Sequence, residues 1–283
     1  MNRDTQRAKA EAFRAMHDRS RILVLPNAWD AMSARVVEDA GARAIATTSA
    51  GLAFSVGYPD GEAIPRDEMI AAIARIARVV TIPVSADIES GFAKDTRELA
   101  ETIRQVLDAG AVGINLEDQI HDDGQPRLYD LDAAVERVRA ARDAADSSGV
   151  PLVINARTDV YLLGVGKPET RFEHAVRRVN AYRKAGADCL FIPGLAHRTD
   201  IERIVPALEG PLNLLPFPGI PTIPELERLG VARLSVGTRL TLGAMSVLRK
   251  SPDELLNAGT YGSMLAATVT YAEANRLMAG RKS

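Results

Sequence analysis

Four times the chain passes from the end of an amphipathic helix through a glycine into an apolar strand. The phrases are Asp39-Ala-Gly-Ala-Arg-Ala-Ile, Asp108-Ala-Gly-Ala-Val-Gly-Ile, Lys184-Ala-Gly-Ala-Asp-Cys-Leu and Arg228-Leu-Gly-Val-Ala-Arg-Leu. In each the glycine suits the left-handed position after a helix, and the apolar residues that follow start a strand. The helices in front have the right period. Leu99, Ile103, Val106 and Leu107 share one face behind a capping signal at Asp95 and Glu98, and Met69, Ile70, Ile73, Ile76 and Val80 repeat the pattern. Strands are expected at 22–26, 44–48, 84–88, 112–117, 152–156, 189–193, 212–217 and 233–236. Continuously apolar strands alternating with amphipathic helices read as a parallel sheet covered on both faces. Eight such units in one domain spanning 1–283 point to a (β/α)8 TIM-type barrel. An open doubly wound sheet is the second reading, but no Gly-x-Gly-x-x-Gly follows the first strand.

Charge and composition narrow the function. With 35 basic against 37 acidic residues and a formal net charge of −2, the chain has no field to steer a polyanion, so no nucleic-acid partner is expected. The first twenty residues are polar, and no run nears the roughly 20 apolar residues of a membrane span, so a cytoplasmic protein without a membrane partner is expected. The single cysteine, Cys189, excludes an internal disulfide, and four scattered histidines do not suggest a zinc site.

Acidic residues gather at the predicted strand ends. Asp87 and Glu89 are two apart, so in an extended strand both carboxylates project from one face. Glu117 and Asp118 are adjacent, so only one of them can join that pair. Converging carboxylates repel one another unless a hard cation such as Mg²⁺ sits among them. Catalytic groups of a (β/α)8 barrel lie at the C-terminal strand ends, where Asp87, Glu89, Glu117, Arg157 and Asp159 all fall.

These residues resemble those of the isocitrate lyase/phosphoenolpyruvate mutase superfamily. The carriers are 25–35 (LPNAWDAMSAR), 47–52 (TTSAGL), 57–60 (GYPD), 85–91 (SADIESG), 115–119 (NLEDQ), 155–159 (NARTD) and Asn213. The resemblance implies that Asp87 binds Mg²⁺ directly, with Mn²⁺ as the alternative ion, and that Glu89, Glu117 and Asp60 act through waters. Glu89 stands where the family usually has a second aspartate. Arg157 matches the arginine that grips a substrate carboxylate, and Ser49, Ala50 and Gly51 match a loop surrounding a substrate carboxylate or a developing enolate oxygen. Trp29 and Asn213 are expected at the substrate. The C-terminal helices, 252–283, are expected to swap between subunits of a homo-oligomer, a dimer or tetramer.

The chain also departs from its relatives. The catalytic cysteine segment of the isocitrate and methylisocitrate lyases is replaced by 121–130 (HDDGQPRLYD), and Ile192-Pro-Gly-Leu195 lies where those lyases place a glutamate. Tyr129, or His121, is left as the proton donor, and the segment 120–129 is expected to close over a ligand. The expected activity is Mg²⁺-dependent cleavage of a carbon–carbon bond in a small 2-oxo or 2-hydroxy (di)carboxylate through an enolate. Carbon–phosphorus chemistry, of the phosphoenolpyruvate mutase or phosphonopyruvate hydrolase type, and a non-catalytic carboxylate-binding barrel are the alternatives.

Overall fold

The computed structural model describes residues 2–121 and 127–279. Its strands are β1 (Leu23–Leu25), β2 (Asn27–Ala28), β3 (Ile45–Thr47), β4 (Val84–Asp87), β5 (Gly113–Glu117), β6 (Gln119–Ile120), β7 (Arg127–Leu128), β8 (Val153–Arg157), β9 (Cys189–Phe191), β10 (Leu212–Leu214) and β11 (Arg233–Ser235). Apart from the small antiparallel pair β6–β7, all belong to one parallel sheet in the order β1-β11-β10-β9-β8-β5-β4-β3-β2. Its two ends, β1 and β2, are consecutive pieces of one strand parted by Pro26, which has no N–H to donate to a neighbour. The ring therefore closes. It is the eight-stranded (β/α)8 barrel expected from the helix–glycine–strand repeats.

The intervening helices cover the barrel with the faces their periodicity implies. In Thr96–Asp108 the buried residues are Leu99, Thr102, Ile103, Val106 and Leu107. Asp95 caps this helix by accepting from the Glu98 amide, and Glu98 reaches back to the Lys94 amide. The polar N-terminus holds more structure than its composition suggested. Its helix, Arg3–Ala15, closes the barrel's N-terminal mouth: Gln6 donates to the carbonyls of Leu107 and Ala111, and Phe13 is fully buried. A Cβ on Gly113 would lie 2.7 Å from the Phe13 ring, so that glycine makes room for the plug.

The strand ends are corrected. The strands expected at 84–88 and 212–217 end earlier, at Asp87 and Leu214, where prolines and left-handed residues take over. The C-terminal stretch, expected as helices over 252–283, forms several short ones. Arg239–Asp253 is followed by a π-helical turn Glu254–Ala258, then a left-handed Gly259, then the helices Gly262–Leu265 and Tyr271–Ala279. Of the 15 residues in Arg239–Asp253, Thr241 alone is buried. Leu248, Leu256, Leu265 and Tyr271 are all exposed. No helix among the described residues is long and apolar enough to cross a membrane.

Candidate active site

The C-terminal ends of β4, β5 and β8 converge on a polar cleft of about 240 Å³ lined by Ser49, Asp60, Gly61, Glu89, Glu117, Gln119, His121, Arg157 and Leu162. A larger concavity, about 750 Å³, lies on the barrel's flank; Ile22, Val24, Trp29, Met32, Val36 and Leu240 contribute to its apolar lining, which holds no carboxylate. The chemistry is in the smaller one.

Parallel pairing sets its floor. Asp87, Asn115 and Asn155 are in register on neighbouring strands, and Glu117 pairs with Arg157 one pleat further on. The Asn115 amide donates to Asp87 Oδ1 at 2.8 Å, and the Asn155 amide donates to Asn115 Oδ1 at 3.0 Å. Asp87 Oδ2 accepts from both the backbone N–H and the hydroxyl of Ser49, at 3.1 and 2.9 Å. Ser49 thus anchors Asp87. The amide of Gly51 is turned to Thr48 Oγ1, which caps the short helix Ser49–Ser55. A Cβ on Gly51 would lie 2.6 Å from Thr241 Oγ1 and 2.9 Å from the Trp29 Cβ, so close packing explains this glycine. The expectation that its N–H faces a substrate oxygen is corrected: that N–H is committed to the cap.

Glu89 reaches the cleft by a route the alternation rule does not describe. β4 stops at Asp87, and Glu89 has φ +50°, in the left-handed region that a β-bearing side chain adopts at a cost of about 1–2 kcal/mol. The turn is held by the Glu117 amide, which donates to the Glu89 carbonyl at 2.9 Å. Glu89 Oε2 accepts from the Glu62 amide, whereas Glu89 Oε1 is buried with no hydrogen-bond partner. Burial, followed by the charges of Glu117, Asp60 and Asp87, pushes the Glu89 carboxyl up to about 9. The same causes, burial first and then Asp87 and Glu117, raise Asp60.

Glu117 behaves in the opposite sense. Burial opposes its ionisation, but Arg157, 2.6 Å away, and the hydrogen bond with His121 outweigh that and hold it below the usual carboxylate range. Arg157 is also forked onto Asp159, with Nε–Oδ1 at 2.6 Å and Nη2–Oδ2 at 2.9 Å. The structural ion pairs and the substrate grip are therefore compatible: one guanidinium has five N–H groups, and the fork to Asp159 uses two of them in hydrogen bonds.

The alternation argument for Glu117 and Asp118 holds. Asp118 turns away from the cleft into a buried knot, accepting from Thr158, Arg178 and Tyr182 on Oδ2 and from the Asp159 amide on Oδ1. This knot positions Asp159, and through it Arg157. It escaped the sequence reading because Arg178 is 60 residues from Asp118.

The remaining expected site residues lie elsewhere. Trp29 lines the apolar flank groove, and Asn213 is fully buried in the barrel, bonded to Ser235. Ala50 is buried in its helix. The Tyr129 ring lies against the Arg137 guanidinium and does not line the cleft; its backbone bridges Asp118 and Arg178. His121 does enter the cleft, with Nε2 2.7 Å from Glu117 Oε1 and 3.6 Å from Glu89 Oε2. The segment expected to close over ligand falls largely on 122–126, outside the described residues. Cys189 is fully buried and its thiol is pushed up to about 11 by burial, so it packs as a small apolar residue.

Comparison with known proteins agrees with this geometry. A protein of Burkholderia cenocepacia J2315 assigned to the lyase/mutase class superposes with a TM-score of 0.90 at 40% identity, over 98% of both chains. A phosphonopyruvate hydrolase, solved with oxalate and Mg²⁺, superposes with a TM-score of 0.84 at 27% identity, over 96% of this chain and 95% of that one. The oxaloacetate decarboxylase of Bradyrhizobium sp. ORS 278 is 30% identical over 74% of this chain and 72% of its own. The phosphoenolpyruvate phosphomutase family model matches residues 13–256. The chain thus belongs to the phosphoenolpyruvate phosphomutase family, within the isocitrate lyase/phosphoenolpyruvate mutase superfamily.

Proposed function

We propose that this protein is a Mg²⁺-dependent lyase that cleaves a carbon–carbon bond of a small 2-oxo or 2-hydroxy (di)carboxylate through an enolate. The charge of the cleft carries the reading. Asp60, Glu89 and Glu117 line it, Asp87 lies at its floor, and the one guanidinium among them, Arg157, is already paired with Glu117 and Asp159. An anionic substrate meets net repulsion there unless a divalent cation is also bound. The residues fit such an ion: Glu89 Oε1 is buried without a partner, and the donor set is rich in carboxylate oxygen, the chemistry a hard cation takes.

Asp87, with Asp60, Glu89 and Glu117 around it, would hold the ion. Bound there, Mg²⁺ supplies a Lewis acid that polarises the 2-oxo group and offsets the charge left as the bond breaks. The chain's own groups do the rest. Ser49 and Asn115 fix Asp87 in one orientation, so no reorganisation is needed at that carboxylate. The uncommitted N–H groups of Arg157 suit a substrate carboxylate, and the cation–π contact of its guanidinium with the Phe191 ring, 5.7 Å to the centroid, steadies the fork. The volume of about 240 Å³ suits acids of a few carbons. Similarity to an oxaloacetate decarboxylase favours carbon–carbon cleavage; similarity to a phosphonopyruvate hydrolase keeps carbon–phosphorus cleavage as the second reading.

The test is a panel of oxaloacetate, substituted malates, methylisocitrate and phosphonopyruvate with and without Mg²⁺, following pyruvate, CO₂ and phosphate. Metal-dependent release of a 2-oxo acid without phosphate is the expected result. Phosphate release from phosphonopyruvate alone would establish the second reading, and binding without turnover of any member would leave a carboxylate-binding barrel.

We also propose that the working form is a homo-oligomer built on 252–283. The apolar side chains exposed on this arm and the uncovered groove between β1 and the start of Arg239–Asp253 support that assembly, because each would bury the other across two copies.

A further inference from the structure

We propose that His121 is itself a ligand in the cleft, joining Glu89 and Glu117 on the side of the Asp87 site that they line, so that the site favours an imidazole-accepting ion such as Mn²⁺ over Mg²⁺. This rests on the reading above only in requiring that the cleft binds a divalent cation. Three observations carry it. One ligand atom from each of Glu89, Glu117 and His121 lies within 4.8 Å of the others. The separations from His121 Nε2, 2.7 Å to Glu117 and 3.6 Å to Glu89, bracket the roughly 3 Å between neighbouring ligand atoms when metal–ligand bonds are about 2.1 Å. Finally, Glu89 is 2% exposed and its Oε1 has no partner in a place where a buried carboxylate oxygen is costly to leave unpaired.

The ring has few other places to go. Its Nδ1 is packed over Gly61, where an added Cβ would lie 3.4 Å away, and its side chain is 9% exposed. Nε2 donates to Glu117 Oε1 when it carries the hydrogen; with the hydrogen on Nδ1 instead, its lone pair is available to an ion beside the two glutamates. Glu117 Oε2 faces Arg157 in an ion pair but accepts no hydrogen bond, and Oε1 is the atom beside His121 that an ion there would meet. Imidazole nitrogen is a poor match for Mg²⁺, which prefers oxygen, and a good one for the later divalent ions.

Mn²⁺ is the probe, because it reports its own ligands. The metal-free full-length protein is loaded with Mn²⁺ and examined by electron spin-echo envelope modulation, with parallel calorimetric titrations of Mn²⁺ and Mg²⁺. Modulation from a directly bound ¹⁴N in the wild-type protein is expected. In His121→Gln that modulation should vanish while Mn²⁺ affinity falls by roughly 10-fold or more, with Mg²⁺ affinity falling less. Bound Mn²⁺ without ¹⁴N modulation in the wild type would overturn the role of His121 and leave an all-oxygen site with the proposed function intact. Modulation persisting in His121→Gln would equally overturn it. Failure to bind either ion would overturn this inference and the metal-dependent function together. The wild-type spectrum decides even if the variant does not fold.

Discussion

At the level of single residues, spacing predicted chemistry where the backbone stayed regular and failed where it did not. The two-residue alternation of a strand separates Glu117 from Asp118, and the structure sends one to the cleft and the other to the knot with Arg178 and Tyr182. The same rule carried Glu89 to the site for the wrong reason, since its left-handed φ places it after the strand has ended. Nothing local in the sequence announces that turn, because glutamate is not a residue that prefers it. Gly51 gives a direct check on the packing account. Gly51→Ala should overpack against Thr241, Thr48 and Trp29 and cost about 1–3 kcal/mol, read as a lower urea midpoint at unchanged slope; an unchanged midpoint would contradict it. Cys189, buried with a raised thiol, should resist iodoacetamide in the folded protein, so turnover should survive prolonged incubation. Rapid inactivation prevented by substrate would place it at the site instead.

Elements were legible because the glycine that ends four of the helices and the apolar run that follows are local signals. The N-terminal helix was not, since Phe13 and His17 show their importance only where the chain returns as β5 and β11. His17 donates from Nδ1 to the Phe13 carbonyl, and its Nε2 faces Arg233 at 3.4 Å. Burial first, then the Arg233 charge, lowers the imidazole from 6.5 to about 3. The unfolded chain therefore binds a proton in a window where the folded one does not. Stability should be full above about pH 6.5 and fall progressively as pH drops toward 3, by up to a few kcal/mol. Urea denaturation at several pH values, with His17→Gln, tests this: the variant should show a shallower acid limb, and an identical limb would exclude His17 as its source. The Asp118 knot ties β5, the segment after β8 and the helix Arg171–Lys184 together. Asp118→Ala leaves the Arg178 charge buried without its carboxylate, so a loss of about 3–5 kcal/mol is expected in the same denaturation assay.

For the whole molecule, the barrel was legible because eight repeats of one local unit close in one way, whereas the course of the C-terminal arm depends on what it packs against. Thr241 is the one buried residue of the helix Arg239–Asp253 that leads into it, and Leu256 is 80% exposed. Apolar residues that find no cover in their own chain find it in another copy. Light scattering should give a mass at least twice 30.4 kDa, and Leu248→Glu combined with Leu256→Glu should shift it toward the monomer. A monomeric wild-type protein would remove the assembly proposal without touching the site.

The carboxylate-lined cleft should accept an anion only together with a divalent cation. Oxalate is a chelating diacid small enough for the cleft, and calorimetry of oxalate into metal-free protein, then into protein saturated with Mg²⁺, tests the claim without knowledge of the substrate. Oxalate should bind the Mg²⁺-loaded protein and leave the metal-free protein untouched, and Asp87→Ala should abolish the difference. Equal binding with and without Mg²⁺, or no heat of Mg²⁺ binding at all, would show that the cleft does not need a cation to hold an anion.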